Sequence, residues 1–391
     1  MLSRESITKQ ILELSDKHNN FLLNIPMRAG KSIFATALCN KWEGRILILS
    51  GADLTNRQWL DNIRKYNPHL EERTDIYCYH SLHKIDRNKY SIILLDEFEQ
   101  SLSDKRNIQL HEFNPKHWIA MSGTLDVFDI NEYRKLTNNN FKEIKITLEE
   151  AVESNLLPQP KVICVPLQFD DSRRYLLFKK GSDKNKKNDI VLFPNRWESL
   201  KNKKVNTWIQ CTEKEYHILV EQDYNYAKDL YEQHGTEVFK NMWLKRGNNR
   251  KAFYAQLKTK WVKKVINQLP EGSRSLIFCF DTKQADLINK EVIHSKVEGG
   301  KELIQEFNEG RINTIASVKM IDRGIDFFNV DYCIIIQQSG SQKSPQQQAG
   351  RSYLSISPKI ITFYYPNTRD EDYLKEFLKP FKKEWITYKN I

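Results

Sequence analysis

The chain has 391 residues, 40% of them hydrophobic and 28% charged; that is enough for a substantial core, predicts two or three domains and excludes global disorder. Lys and Arg number 61 against 50 Asp and Glu, a net charge of +11, which favours an anionic partner. Residues 1–10 lack the apolar core of a signal peptide, residues 92–95 are too short to span a bilayer, and Cys39, Cys78, Cys164, Cys211, Cys279 and Cys333 form no CxxC pair; a membrane protein, a disulfide framework and a zinc site are therefore unsupported, and a soluble cytoplasmic protein is expected.

In chain order, apolar runs at 21–25, 45–49, 75–79, 92–95 and 118–121 alternate with helical stretches such as 31–42 and 55–66. Short runs rich in Ile and Leu, each followed by a polar or glycine-bearing turn, predict buried parallel strands with crossover helices, hence an α/β lobe. Between the first strand and the first crossover helix lies Ile25-Pro26-Met27-Arg28-Ala29-Gly30-Lys31-Ser32. Loop N–H groups at a helix N-terminus cradle phosphate oxygens. Lys31 would then reach the terminal phosphates and Ser32 would hold Mg²⁺. Ile25 stands where the first glycine of GxxxxGK[ST] belongs. Leu94-Leu95-Asp96-Glu97-Phe98-Glu99 ends a strand in adjacent acids. That places carboxylates at the carboxyl edge of a parallel sheet, with Asp96 in the Mg²⁺ shell and Glu97 orienting or deprotonating the attacking water.

The middle of the chain differs. Residues 171–270 carry 22 Lys or Arg against 11 Asp or Glu, so the whole net charge sits in about a quarter of the chain, together with Trp197, Trp208, Trp243 and Trp261. Lys179, Lys180, Lys184, Lys186 and Lys187 predict a solvated basic loop that contacts phosphate. Trp197, Trp208 and Trp243 either stack on bases or pack a small helical insert. Phe253, Leu257, Trp261, Val265 and Leu269 recur every four residues, a buried helical stripe. Lys258, Lys260, Lys263 and Lys264 lie off it and are expected to face water or phosphate. A second α/β rhythm follows, with strands at 275–280, 314–318, 332–336 and 360–364 and helices at 283–292 and 300–307.

This order of motifs resembles the superfamily 2 helicases and translocases. Residues 25–32 resemble motif I; Leu47-Ile48-Leu49-Ser50-Gly51 with Gln58-Trp59, motif Ia; Tyr79-His80-Ser81-Leu82, motif Ib; and Asp96-Glu97-Phe98-Glu99, motif II. Ser122-Gly123-Thr124 resembles motif III, residues 276–280 motif IV, Asp322-Arg323-Gly324-Ile325-Asp326 motif V, and Gln347-Gln348-Ala349-Gly350-Arg351 motif VI. Residues 147–165 are similar to the lobe connection of the XPB and UvsW-like branch, and the compact size suits a phage or mobile-element enzyme.

The resemblance implies an α/β architecture of two RecA-like parallel-sheet lobes. The first spans 1–150, the lobe connection and basic Trp-containing insert 151–270, and the second lobe 271–391. It implies ATP and Mg²⁺ as cofactors. ATP would lie against Gln10 as the adenine reader, Arg28, Ala29, Gly30, Lys31 and Ser32, with Gly324 and Asp326 from the second lobe. Gln347 and Arg351 join Lys31, Asp96 and Glu97 in catalysis, Arg351 as the finger on the γ-phosphate. Ser122, Thr124 and Glu99 couple the ATP site to motif III. The nucleic-acid grip is implied near Ser50, Gly51, Ser81, Phe280, Ser295, Lys296 and Ser317, with Lys184, Lys186 and Lys187 as the basic addition. Two departures matter. Glu99 replaces the usual His or Asp of motif II, and Leu354 replaces the second arginine of motif VI, for which Arg323 is the candidate substitute. The expected activity is an ATP-driven monomeric motor on forked or branched DNA, with no membrane partner. An RNA helicase and a nucleic-acid clamp with weakened ATPase are the alternatives.

Overall fold

The computed structural model describes residues 2–51, 53–172, 175–180, 190–191, 205–294, 297–318, 327–338 and 343–390; Lys184, Lys186, Lys187, Trp197, Ser295, Lys296, Arg323, Gly324 and Asp326 lie outside them. Strands β1 (Phe21–Asn24), β2 (Ile46–Ser50), β3 (Thr74–Cys78), β4 (Ile92–Asp96), β5 (His117–Ser122) and β6 (Lys142–Lys145) form one sheet in the order β3-β2-β4-β5-β1-β6, all pairs parallel. Helices α1 (Arg4–Leu14), α2 (Lys31–Lys41), α3 (Asp53–Tyr66), α4 (Asp104–Leu110) and α5 (Val127–Leu136) accompany it, and α6 (Leu148–Glu153) leads out of the lobe. Strands β2 and β4 are buried at every position, which explains their unbroken apolar sequences. Strand β6 reads Lys-Glu-Ile-Lys with only Ile144 buried. A polar edge strand of this kind has no apolar run to announce it.

The second sheet also pairs entirely in parallel. Its strands are β7 (Lys161–Pro166), β11 (Ser275–Phe278), β12 (Val292–Ile293), β13 (Thr314–Ser317), β14 (Tyr332–Ile335), β15 (Lys359–Tyr364) and β16 (Ile386–Tyr388), in the order β12-β13-β11-β14-β15-β7-β16. Strand β7 lies in the stretch expected to be the lobe connection, yet it hydrogen-bonds between β15 and β16. Its Val162, Cys164 and Val165 are buried, so the apolar half of that connection is a strand of the second sheet. Between β7 and β11 come a small antiparallel sheet of β8 (Tyr175–Lys180), β9 (Ile190–Val191) and β10 (Val205–Cys211) and a pair of long helices, α7 (Glu213–His234) and α8 (Glu237–Ile266). Helices α9 (Thr282–Ile288), α10 (Gly300–Asn308), α11 (Lys343–Gly350) and α12 (Arg369–Leu378) complete the lobe.

Helices α7 and α8 turn back on each other at Gly235, whose φ of 62° is the left-handed conformation glycine takes without strain. Trp243 packs against the rings of Tyr231 and Tyr224, 5.5 and 6.3 Å between centroids, so this tryptophan packs the hairpin. Trp261 is half-buried against the second-lobe core. Lys258 faces neither water nor phosphate. It is fully buried, its Nζ 2.8 Å from Asp370 Oδ2 of α12 and 2.9 Å from Gln337 Oε1. Arg250, two turns earlier on the same face, bonds Glu221 and the Tyr373 hydroxyl. A lysine beside the apolar stripe still reaches the interior when an acid waits there.

All six cysteines are buried. Among the described residues no helix is long and apolar enough to cross a membrane.

Candidate active site

Strands β1, β4 and β5 are neighbours, so the segments leaving their carboxyl ends converge. The loop after β1 continues the ladder for one bond, Ile25 N–H to the Ser122 carbonyl at 3.1 Å, and then turns. The turn needs two left-handed residues, Arg28 at φ 71° and Gly30 at φ 116°. Gly30 caps α2, and a Cβ there would meet the Phe34 ring at 3.4 Å and Arg4 Nε at 3.6 Å. Lys31 opens the helix almost buried, with Nζ 3.5 Å from Glu97 Oε1. Gly123 closes over it: a Cβ there would lie 3.1 Å from the Met27 nitrogen and 3.5 Å from Lys31 Nζ. Only glycine at 123 lets β5 approach the loop this closely.

From β4, Asp96 is held on both its groups. Its Oδ2 accepts from Trp59 Nε1 at 2.8 Å, and its carbonyl accepts from the Tyr79 hydroxyl at 2.9 Å. Glu97 sits at φ 48°, a conformation a non-glycine residue adopts at some cost. Its Oε2 accepts from the Ser122 hydroxyl and from Gln347 Nε2, both at 3.5 Å. Gln347, on α11 of the second lobe, also donates to Glu99 Oε1 at 3.1 Å. Arg351, one turn further and 3% exposed, lines the same cavity as Lys31, Ser32, Asp96 and Glu97. The lobes touch here: a Cβ on Gly350 would lie 3.0 Å from Met27 Sδ. The cavity has a volume of about 250 Å³. A second one of about 990 Å³ adjoins it on the β6 side, sharing Met27, Lys31, Glu97 and Gln347.

The acids are unequal. Burial, then the charge of Glu97, pushes Asp96 up to about 6 against the pull of Lys31. Burial and Glu97 together push Glu99 up to about 8. Burial also acts on Glu97, but Lys31, a hydrogen bond from Glu99 and the Arg351 charge outweigh it and hold Glu97 below the usual carboxylate range. At neutral pH Glu97 is therefore ionised and Glu99 protonated. A pKa raised by folding binds the proton more tightly in the native state, so that stability is lost as pH rises through the folded value. Between about pH 6.5 and pH 9 the loss falls mainly on Glu99, and Glu99→Gln, which keeps the acceptor for Gln347, should remove it. Denaturant unfolding is expected to show the variant gaining on the order of 2 kcal/mol over the wild type across that interval. Parallel pH profiles would contradict the protonation assigned to Glu99.

Asp96 is a buried acid beside a second carboxylate, opposed by one lysine, and Ser32 lies on the same cavity wall. Among the described residues no group of three or more His, Cys, Asp or Glu is placed to hold a metal. One carboxylate and one hydroxyl suit Mg²⁺ shared with a substrate's phosphates better than a cation caged by protein alone.

Other expected residues fall elsewhere. Gln10 is exposed on α1 and does not line the cavity; the α1 side chain that approaches the loop is Arg4. Ala29 is buried beneath the loop, its N–H on the Pro26 carbonyl. Arg28 and Gly51 line the cavity, Gly51 against Gln100. Ser122 and Thr124 bond each other, Thr124 N–H to the Ser122 hydroxyl at 3.2 Å. Two residues expected to grip nucleic acid do not reach the surface. Ser50 is buried, its hydroxyl on Asn56 Oδ1 at 2.6 Å, and Ser317 is buried at the end of β13, because both close strands inside their sheets. Ser81 and Phe280 are half-buried, Ser81 in a short 3₁₀ turn after β3 and Phe280 just after β11. Sequence reasoning missed Trp59, Tyr79, Met27 and Gly123 as site residues although each stands inside or beside a quoted motif; the identity of what each touches is set only by tertiary packing.

Residues 257–353 match the family model of the helicase conserved C-terminal domain. No curated protein matches the sequence. Among solved structures, S. cerevisiae Dbp5 bound to RNA and ADP BeF3 has a TM-score of 0.59 at 12% identity, covering 98% of this chain and 89% of that one. Mycobacterium smegmatis helicase Lhr bound to ssDNA and AMP-PNP has a TM-score of 0.55 at 12% identity, covering 96% of this chain and 48% of that one. The chain thus has a fold of two RecA-like parallel-sheet lobes, similar to those helicase structures, and residues 257–353 resemble the helicase conserved C-terminal domain.

Proposed function

We propose that the chain is a nucleic-acid-stimulated ATPase, a helicase or translocase of the XPB and UvsW-like branch working on forked or branched DNA. The observation that carries this reading is the convergence of Gln347 and Arg351 from the second lobe on Lys31, Glu97 and Glu99 of the first. ATP is the substrate that matches a Gly-Lys-Ser loop at a helix N-terminus facing a cation from the opposite lobe. Lys31 and the loop N–H groups bind its phosphates. Mg²⁺, held by Ser32 and Asp96 together with those phosphates, would supply charge neutralisation. Glu97 orients the attacking water and takes its proton. Arg351 stabilises charge on the transferred phosphoryl group. Gln347 holds Glu97 and Glu99 while the lobes are together, and loss of the γ-phosphate lets the lobes part.

The clamp with a weakened ATPase is the less supported alternative, because Glu99, although not the usual His or Asp, makes the contact to the second lobe. The preference for DNA rests on the family branch.

Steady-state ATP hydrolysis with no polymer, single-stranded DNA, duplex DNA, a DNA fork and RNA tests the reading. Strongest stimulation by the fork is expected. Stimulation by RNA alone makes the chain an RNA helicase, and tight binding with no turnover makes it a clamp.

A further inference from the structure

Helix α8 runs thirty residues, and after Glu237 it contains no carboxylate while carrying nine Lys or Arg. Its partner α7 is the reverse, with six Asp or Glu against two Lys. Part of this asymmetry is internal: Arg250 answers Glu221, and Lys258 answers Asp370. Arg246 answers Asp223 at 3.0 Å, and Lys251 is half-buried over the Tyr373 ring; Lys240, Lys245, Lys260, Lys263 and Lys264 are exposed. Asn241, Lys245, Asn249, Gln256, Lys260 and Lys263 succeed one another at helical spacing on the side of α8 turned from the core. All are exposed except Gln256, which is half-buried; Lys260 also pairs with Glu213 at 3.3 Å. From Asn241 to Lys263 the stripe is about 33 Å long, close to one turn of B-form duplex.

The stripe is rigidly founded. Lys258 and Arg250 pin α8 to α12 through buried, hydrogen-bonded contacts. Gln284 of α9 ties α8 to the end of β11: its Nε2 donates to the Ala255 carbonyl at 2.6 Å and to Thr259 Oγ1 at 3.0 Å, and its Oε1 accepts from Phe280 N–H at 2.8 Å. The family resemblance implies a nucleic-acid contact at Phe280, so the stripe begins beside that place and leads outward along the hairpin.

We infer that this face of α8 is a rail for the phosphates of duplex DNA. Single strands are tracked by aromatic side chains that stack on bases. The aromatics of α8 are turned away from the stripe: Trp243 packs on Tyr231, Phe239 on His234, Phe253 on Tyr216 and Phe169, and Trp261 into the core. What remains is amine and amide at fixed spacing, which reads a regular backbone and not bases.

The inference deepens the motor reading by naming the polymer form held by the second lobe, and its test needs no ATP. In direct binding titrations over a range of salt, Lys245→Gln with Lys260→Gln and Lys263→Gln should weaken binding to blunt duplex DNA and make its salt slope shallower by about two to three units, roughly 0.9 for each phosphate that is no longer neutralised. Asn249→Glu with Gln256→Glu, which places acids on the stripe without removing a lysine, should weaken the same complex. Single-stranded DNA should bind both variants as it binds the wild type. Unchanged duplex affinity and slope in either variant, or a loss confined to single strands or to duplex RNA, overturns the rail. If the wild type binds duplex in this way but hydrolyses no ATP with any polymer, the motor reading fails and the rail stands.

Discussion

Lys31→Ala is expected to reduce ATP turnover by at least about 10²–10³-fold, the scale seen when one preorganised electrostatic contact to a transition state is removed. The ammonium group is nearly buried under Gly123 and faces Glu97 across 3.5 Å. No other described lysine lines this cavity of Asp96 and Glu97, and Arg28 and Arg351 enter from its other walls. Removing it also deprives Glu97 of the largest influence holding its carboxyl ionised, so the base is weakened along with the phosphate contact. Steady-state kinetics with the stimulating polymer, together with nucleotide binding, measures both consequences. Turnover within a few-fold of the wild type would mean that the phosphates are held elsewhere.

Glu97→Gln should separate binding from chemistry. The amide is isosteric, its oxygen can still accept from Ser122, and the phosphate loop is untouched. What it lacks is the ability to take a proton. General-base loss costs about 10²–10⁴-fold in turnover, whereas nucleotide affinity should stay near the wild-type value or rise, since one negative charge leaves the cavity. A bound but unhydrolysed nucleotide should keep the lobes together, so polymer affinity in ATP should exceed that of the wild type. Normal turnover would remove Glu97 from the base role.

Much of the first lobe was legible in the sequence because β1, β2, β4 and β5 are buried on both faces and therefore spelled in apolar runs. What escaped was spelled differently. Strand β6 is a polar edge, and β7 joins the second sheet from a stretch that precedes the basic hairpin. Neither local composition nor periodicity encodes such a crossing. The pairing of Lys258 with Asp370 spans 112 residues, and only the folded packing of α8 against α12 turns that lysine inward. In the candidate site, the loop, the two acids and Arg351, each quoted from a motif, line one cavity. Their neighbours Trp59, Tyr79 and Gly123 became meaningful only when β2, β3 and β5 were set beside β4 and β1. Gln10 shows the reverse case: a residue type in a plausible place, carried by helical phase to the exposed side of α1.

In the proposed mechanism ATP is held between the lobes with a cation supplied from the far one. A structure of the protein with ADP, Mg²⁺, a metal fluoride and nucleic acid tests it most directly. Lys31 and Arg351 should stand on opposite sides of the fluoride, both within hydrogen-bonding distance. Fluoride held by the first lobe alone, with Arg351 turned away from it, would mean that the second lobe supplies no cation to the phosphates.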